Sequence, residues 1–189
     1  MDLYAELLNY TPFNEQEERD RAALLRLLQT GEELYTRDNC AQHMTASCWV
    51  VSPDRQKVLM AYHKLYDSWA WLGGHADGEH DLRLVAAKEL AEESGLSDAR
   101  LLTDEIFSVE ILPVYGHEKR GAYVSSHLHL NVTFLFEADP SAELFVKPDE
   151  NLGVAWFGAE ESLTKSTEPW FCERIYQKLI DKTRAEFLL

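Results

Sequence analysis

The sequence is poor in basic residues, and this shortage limits the partners that the protein can bind. Eighteen Lys and Arg residues stand against 33 Asp and Glu, which gives a formal net charge of −15. Contact with a phosphate backbone needs clustered Lys and Arg, so we expect no nucleic acid polymer and no anionic membrane surface as a partner. One small phosphorylated substrate stays possible, because a divalent metal ion can invert the local electrostatic field.

Cysteines and long apolar runs are also scarce. Cys40, Cys48 and Cys172 show no CxxC or zinc-ribbon spacing, and their odd number argues against a disulfide framework. The start, Met-Asp-Leu-Tyr-Ala-Glu, has no basic region of a secretion signal. No apolar run approaches the roughly 20 residues of a membrane-spanning helix. Reduced thiols and a cytoplasmic location are therefore expected.

A length of 189 residues is suited to one domain with an extension, and 46% hydrophobic residues suffice for a core. Residues 1–39 are predicted to form a helical extension. Asn14 and Glu17 predict an N-cap and a capping box, and a second short helix is predicted from Glu32 to Arg37. This extension packs on the main domain, residues 40–189, or forms a homodimer interface; the sequence does not separate the two.

From Met44 onward the apolar pattern changes to a period of two, which is typical of strands. Strands are predicted at residues 45–52, 57–63, 69–72, 106–112, 126–136 and 153–157, and helices at 81–94, at 160–163 and after 167–169. Strands, a helix in mid-chain, further strands and a terminal helix favour an α/β fold, an α/β/α sandwich around a mixed sheet.

Residues 74–96 carry three glutamates on the predicted mid-chain helix, directly after a glycine-rich turn. At offsets of three and four, Glu89, Glu92 and Glu93 share one helix face. Like charges in this arrangement repel one another, so a partner that neutralises them is expected. A hard divalent cation prefers carboxylate oxygens and is the simplest candidate.

The spacing of this segment resembles the Nudix box. In that motif a Gly is followed after five residues by Glu, then after seven residues by Arg-Glu, an aliphatic residue, any residue, Glu-Glu, any residue, Gly and an aliphatic residue. Seven positions are in register: Gly74, Glu89, Leu90, Glu92, Glu93, Gly95 and Leu96. His80 stands in place of the first Glu, and Lys88 in place of the Arg.

The resemblance implies a Nudix-like α/β/α sandwich and a Mg²⁺- or Mn²⁺-dependent hydrolase that cleaves a phosphoanhydride bond in a small phosphorylated substrate. It makes Glu92 and Glu93 the principal metal ligands. It makes Glu89 a ligand or the group that orients the attacking water, and Gly74 a backbone carbonyl or close-approach position at the metal.

The two departures from the box keep other functions open. His80 and Lys88 cannot form the supporting Glu–Arg pair, since Lys lacks the planar fork of Arg. A catalytically weak nucleotide sensor is therefore a second hypothesis. A third hypothesis is an enzyme like isopentenyl diphosphate isomerase, which would need a cysteine and a glutamate beside a His-bound metal. Cys40 or Cys48 would be that cysteine.

Histidines and aromatic residues supply further candidates for substrate binding. His75 lies inside the glycine turn, and His127 and His129 lie two residues apart on one face of a strand. Trp69 and Tyr66, which precede the turn, are candidates for stacking on a base.

One more carboxylate often completes a metal site of this family from outside the box. Glu110, Glu118 and Glu150 are the candidates, and the sequence does not choose among them.

Overall fold

A computed structural model describes residues 2–119 and 121–187 of the chain. A mixed, curled sheet lies between helices on both faces, so the predicted α/β/α sandwich is confirmed. The strands are β1 Gln42–Val51, β2 Lys57–His63, β3 Ser68–Ala70, β4 Leu72–His75, β5 Arg100–Leu101, β6 Ser108–Val114, β7 His117–Lys119, β8 Ala122–Val124, β9 His127–Glu137 and β10 Asn151–Gly158.

The sheet order is β10-β2-β1-β9-β5, with β3 paired to β2, β4 to β1 and β6 to β9. Strands β1 and β9 are parallel, whereas β4 and β6 run antiparallel to the strands they pair with. The short β5 and the separate β7–β8 hairpin were not expected from the sequence.

Both faces of β1 are buried, since its residues alternate between two apolar cores. Met44 and Ala46 pack in the core beneath the mid-chain helix α3, Leu82–Ser94. Trp49 and Val51 pack against the C-terminal helices.

Helix α3 has the boundaries that its end residues predict. The Asp81 carboxylate accepts from the Arg83 amide at 3.1 Å, and Gly95 ends the helix with a left-handed φ of 79°.

The N-terminal helices α1, Leu3–Asn9, and α2, Glu15–Leu28, pack on the main domain. Leu7 and Leu24 are fully buried in the core that contains Met44. Side chains of α2 also cover the outer edge of β6: Gln16 donates to the Val109 carbonyl at 3.0 Å, and the Ile111 amide donates to Asp20 at 3.0 Å. These bonds occupy backbone groups of an otherwise open strand edge.

The predicted second helix from Glu32 to Arg37 is wrong, because this segment is irregular and ends in bends and a turn. Its carbonyls accept hydrogen bonds from other elements instead of from a helical turn. The Leu34 carbonyl accepts from Met44 at 2.7 Å, and the Tyr35 carbonyl accepts from Gly78 at 2.8 Å.

Only half of the predicted capping box at Asn14 forms. Asn14 accepts from the Glu17 amide at 3.0 Å, as an N-cap does. The Glu17 carboxylate, however, accepts from the Phe13 amide at 2.7 Å. It is also held by Lys178 and Lys182 of the C-terminal helix, at 3.3 and 3.0 Å.

The C-terminal helical segment begins at Pro169, as the sequence predicts. It comprises α5 Pro169–Phe171, a π-helical turn Cys172–Tyr176 and α6 Gln177–Phe187, and α4 Ala159–Lys165 precedes it. Within the described ranges, no helix is both long and apolar enough to cross a bilayer.

Candidate active site

A cavity of about 750 Å³ opens beside α3 and the glycine turn. Its acidic wall comes from α3 and the segment before β10, and its imidazole wall comes from β4 and β9. Seven of the predicted site residues line it: Tyr66, Gly74, His75, Glu89, Glu92, Glu93 and His129.

Gly74 permits the close approach of Glu89 to the backbone of β4. A Cβ atom at position 74 would lie 2.4 Å from Glu89 Oε1, which is shorter than any real contact. The glycine is therefore required by a side chain of α3, and the structure links two positions that the sequence places 15 residues apart.

Glu93 is the most enclosed carboxylate of the acidic wall, with 4% of its surface exposed. Its two oxygens accept from the Gly73 amide at 2.9 Å and from Asn151 Nδ2 at 3.1 Å. Burial nevertheless raises the pKa of Glu93 to about 7, and the nearby Glu89 and Glu150 charges act in the same direction. Additional positive charge nearby would favour the ionised form of this group.

Glu92 is the more solvated carboxylate, and Lys147 neutralises it. Lys147 Nζ lies 3.1 Å from Glu92 and 2.9 Å from Glu150. The hydrogen bond from Lys147 lowers the pKa of Glu92. Partial burial alone would lower the pKa of Lys147, but its bonds to Glu150 and Glu92 raise it. Burial, together with Glu92 and Glu150, raises the pKa of Glu89 despite the nearby Lys147 charge.

Of the three carboxylates outside the box that are candidates to complete a metal site, only Glu150 lines the cavity. Glu110 is fully buried and is held by Lys178 at 2.8 Å and by Asn131 at 2.9 Å. Glu118 lies exposed on β7.

The residues that depart from the box are not paired with each other. The His80 ring stacks on Tyr35, with centroids 4.0 Å apart. Lys88 instead lies 3.7 Å from Glu92, one helical turn further along α3.

A different ion pair connects the glycine-rich loop to the segment before β1. Arg37 donates two hydrogen bonds to Asp77, both 2.7 Å long. Asp77 has a φ of 46°, and the next residue, Gly78, donates its amide to the Tyr35 carbonyl. Arg37 and Tyr35, which lie outside the box, thus hold the loop in place. No sequence pattern predicted these contacts.

Behind the imidazole wall lies one more histidine, the buried His43 of β1. The His43 ring lies among those of His75, His127 and His129, with ring centroids 5.1, 4.9 and 5.3 Å away respectively. His43 pairs with His129 across the parallel β1–β9 ladder. Only the sheet register reveals this neighbour.

Burial lowers the pKa values of three of these rings. It lowers the pKa of His75 to about 3, with Arg37 and His43 acting in the same direction. It also lowers the pKa values of His43 and His129.

The aromatic residues near the glycine turn differ in whether they line the cavity. Tyr66 lines the cavity. Trp69 packs edge-on against Phe157 and Tyr62, at 4.8 and 5.4 Å between ring centroids. Trp71 packs edge-on against the buried Tyr176, with ring centroids 5.8 Å apart, and also lines the cavity.

The C-terminal helical segment supplies two aromatic rings that the sequence did not single out. Trp170 and Phe171 line the cavity, and 45% of the Trp170 surface is exposed.

The family model of the NUDIX domain matches residues 41–179, which contain the glycine turn, α3 and every strand of the sheet. The chain belongs to the Nudix family. The resemblance to this family is thereby confirmed. No curated protein sequence matches the chain significantly.

Solved structures similar to this chain include several hydrolases. A C. elegans Ap4A hydrolase binary complex is 16% identical, with a TM-score of 0.53 over 77% of this chain and 97% of that one. The E. coli dihydroneopterin triphosphate pyrophosphohydrolase is 14% identical, with a TM-score of 0.56 over 79% and 99%. A Nudix hydrolase from M. smegmatis is 16% identical, with a TM-score of 0.56 over 76% and 86%. At these identities the likeness shows the shared fold.

Proposed function

We propose that the protein is a metal-dependent hydrolase that cleaves a phosphoanhydride bond in a nucleoside diphosphate-linked or related small phosphorylated molecule. The observation that carries this proposal is the acidic wall of the cavity. Glu89, Glu92 and Glu93 all line that wall, and Glu89 approaches the glycine turn at a distance that only Gly74 permits.

The donor set of this wall fits Mg²⁺ or Mn²⁺, which prefer oxygen ligands. Glu89, Glu92 and Glu93, with the Gly74 carbonyl, would hold the ion, and Glu150 would complete the set. Asn151 Oδ1, whose amide group contacts Glu93, is buried and has no hydrogen-bond partner among the described residues. Burial, with a smaller effect of neighbouring carboxylates, raises the pKa values of Glu89 and Glu93, and a bound cation would favour their ionised forms. When bound, such an ion polarises phosphoryl oxygens and stabilises the leaving phosphate.

The residues of the chain supply orientation and proton handling around the substrate. Glu89, held against the backbone of Gly74, is positioned to orient a water molecule for attack. Arg37, Lys119 and Lys147 line the same cavity and provide cations for phosphate oxygens.

Aromatic side chains of the cavity suit a substrate that carries a base. Tyr66, Trp71 and Trp170 line it and offer ring faces or edges for stacking. A mixture of cations, carboxylates and aromatic rings fits a nucleotide better than inorganic pyrophosphate. The three free thiols accord with a cytoplasmic location, which we include in the proposal.

Incubation with a substrate panel tests this function. The full chain with Mg²⁺ or Mn²⁺ is mixed with ADP-ribose, dinucleoside polyphosphates and nucleoside triphosphates, and the products are separated by ion-exchange chromatography. We expect phosphorylated products from at least one compound and none when EDTA is present. Absence of turnover across the panel, or turnover that EDTA leaves unchanged, contradicts the proposal.

A nucleotide sensor with weak catalysis is the second candidate, and one observation favours it. His80 stacks on Tyr35 and Lys88 pairs with Glu92, so the supporting pair of the Nudix box does not form. A sensor would show a ligand-induced rise in melting temperature without product. The same panel, read by thermal shift and by chromatography, separates the two functions.

The isomerase alternative receives no support from the cysteines. Cys48 is fully buried, and its thiol donates to the Ala86 carbonyl at 2.8 Å beneath α3. Burial also raises its pKa well above the ordinary value. Cys40 is exposed and contacts backbone carbonyls of its own loop. Neither thiol lines the cavity with the glutamates.

A further inference from the structure

Three histidines from three strands converge at one end of the sheet. Strand β1 provides His43, β9 provides His129 beside it, and β4 provides His75 opposite Thr45. One ring nitrogen from each histidine lies within 4.8 Å of the corresponding atoms of the other two. The ring centroids are 4.9 to 5.3 Å apart.

These separations are those of three imidazoles around one ion. A Zn–N bond of about 2.1 Å at tetrahedral angles places the centroids of neighbouring rings about 5.2 Å apart. The rings are also tilted, with interplanar angles of 41°, 50° and 85°. Neutral rings that simply stacked on one another would instead have nearly parallel planes.

Hydrogen bonding determines which nitrogen of His43 is free. His43 Nδ1 lies 3.0 Å from the Asn39 carbonyl, which can only accept, so Nδ1 carries the proton. In the neutral ring Nε2 then has a lone pair, and this buried atom has no hydrogen-bond partner among the described residues. A backbone carbonyl on the opposite nitrogen is the usual support of a metal-binding histidine.

A second support reaches His129 through His127. His127 Nδ1 lies 2.8 Å from the Ser125 carbonyl and therefore carries a proton. Its Nε2 lies 3.2 Å from His129 Nε2, and with neutral rings His129 must be the donor. This assignment leaves the lone pair of His129 on Nδ1. His127 thus orients the ring of His129, as a residue behind a metal ligand does.

We propose that His43, His75 and His129 bind one transition-metal ion of the Zn²⁺ class through three imidazole nitrogens. Imidazole ligands select such ions over Mg²⁺ and Ca²⁺, which take oxygen ligands. His75 and His129 line the cavity, so the fourth coordination position faces it and is open to water or to a phosphate oxygen of a ligand.

This histidine site is separate from the carboxylate site. His75 and Gly74 are neighbours on β4 and therefore face opposite sides of the sheet. The Glu89 side chain approaches Gly74 from the side of the sheet that α3 covers. The site rests on the geometry of the rings and not on the proposed hydrolase function, and it stands if no phosphoanhydride is cleaved.

Metal content of the untagged full chain tests the site. Protein stripped with a chelator is incubated with Zn²⁺, freed of excess ion on a desalting column and analysed by mass spectrometry for bound zinc. Binding of Co²⁺ is followed in parallel through its visible absorption, which is intense for four-coordinate sites. The variants are His75→Gln, His129→Gln, the double variant Glu92→Gln/Glu93→Gln, and His63→Gln as a histidine control that also lines the cavity.

We expect about one zinc per chain in the wild type, in His63→Gln and in the double glutamate variant, and less than about a tenth as much in His75→Gln and His129→Gln. Circular dichroism of each metal-free variant shows whether it is folded, and a Co²⁺ spectrum with strong visible bands that both histidine variants abolish supports the site independently. Wild-type protein without bound zinc overturns the proposal. So does zinc that survives both histidine substitutions, or zinc that only the glutamate substitutions remove.

Discussion

Lys147 Nζ lies 3.1 Å from the Glu92 carboxylate and bridges it to Glu150, 2.9 Å away. The ammonium group thus occupies the position of a cation among the carboxylates of the Nudix box. A divalent ion bound through the same carboxylate oxygens, as the proposed function requires, would compete with Lys147 for them.

Replacement of Lys147 by Gln is therefore expected to strengthen Mn²⁺ binding in the absence of substrate by about tenfold, or ~1.4 kcal/mol. Isothermal titration calorimetry measures the change. Lys165→Gln removes a comparable pair, 3.0 Å from Glu161 on α4, and should leave the affinity unchanged. Weaker Mn²⁺ binding by Lys147→Gln would show that the lysine supports the metal site instead of competing with it.

Glu93 makes the stability of the metal-free protein depend on pH. Its pKa is raised from 4.5 to about 7 on folding, so the folded state binds the proton more tightly. The resulting stabilisation is complete below pH 4.5 and is lost as the pH rises through 7, by up to about 3 kcal/mol.

Glu93→Gln keeps a neutral group at this position and should remove that loss. In EDTA, we expect the free energy of unfolding of the wild type to fall between pH 5 and pH 8 by more than that of the variant. Denaturant titration at each pH measures the difference, with the exposed Glu15→Gln as control. Equal slopes in wild type and Glu93→Gln would refute the assignment.

Gly74→Ala should lower kcat. The new methyl group would overlap Glu89 Oε1, at 2.4 Å, and push the carboxylate out of position. A displacement of about 1 Å at a reacting group can reduce kcat ~100-fold. Gly158→Ala is the matched control, because its methyl group lies 3.6 Å from the nearest atom. If kcat of Gly74→Ala equals that of the control, Glu89 does not act where the structure places it.

The Arg37–Asp77 pair should contribute modestly to catalysis. Asp77→Asn removes the charge, and Asn tolerates the positive φ of 46° at this position. Both side chains are about half exposed, so the pair contributes at most about 1 kcal/mol, which corresponds to a decrease of up to fivefold in kcat/KM.

A double-mutant cycle with Arg37→Gln isolates the contribution of this pair. Additive effects of the two substitutions would show that the loop does not depend on the contact. Glu15→Gln, which breaks the exposed Arg19 pair on α2, is the control for a general charge effect.

The parts of the fold that local patterns determine were predictable. Asp81 and Gly95 fix the two ends of α3, and the period-two pattern locates the long strands. The β7–β8 hairpin escaped prediction because its strands are three residues long and lie largely in solvent. The segment 32–37 has helix-forming residues, but its carbonyls bond to β1 and to the box loop instead.

In the candidate site, too, local patterns were predictable and long-range contacts were not. The box placed Glu89, Glu92 and Glu93 correctly on one wall, because helical spacing alone brings them together. His43 joined the histidines through the register of β1 against β9, which is a long-range property. Lys147 lies in a loop without periodicity, so no local pattern connects it with Glu92.

The rate of phosphoanhydride cleavage with Mn²⁺, measured for wild type, Glu92→Gln/Glu93→Gln and Glu118→Gln on the most active substrate of the panel, tests the central claim most directly. Glu118 is an exposed carboxylate on β7 and controls for the loss of negative charge. We predict that the double variant loses at least about 100-fold in kcat while Glu118→Gln retains the wild-type rate. Equal rates for all three proteins would contradict the assignment of the acidic wall as the catalytic centre.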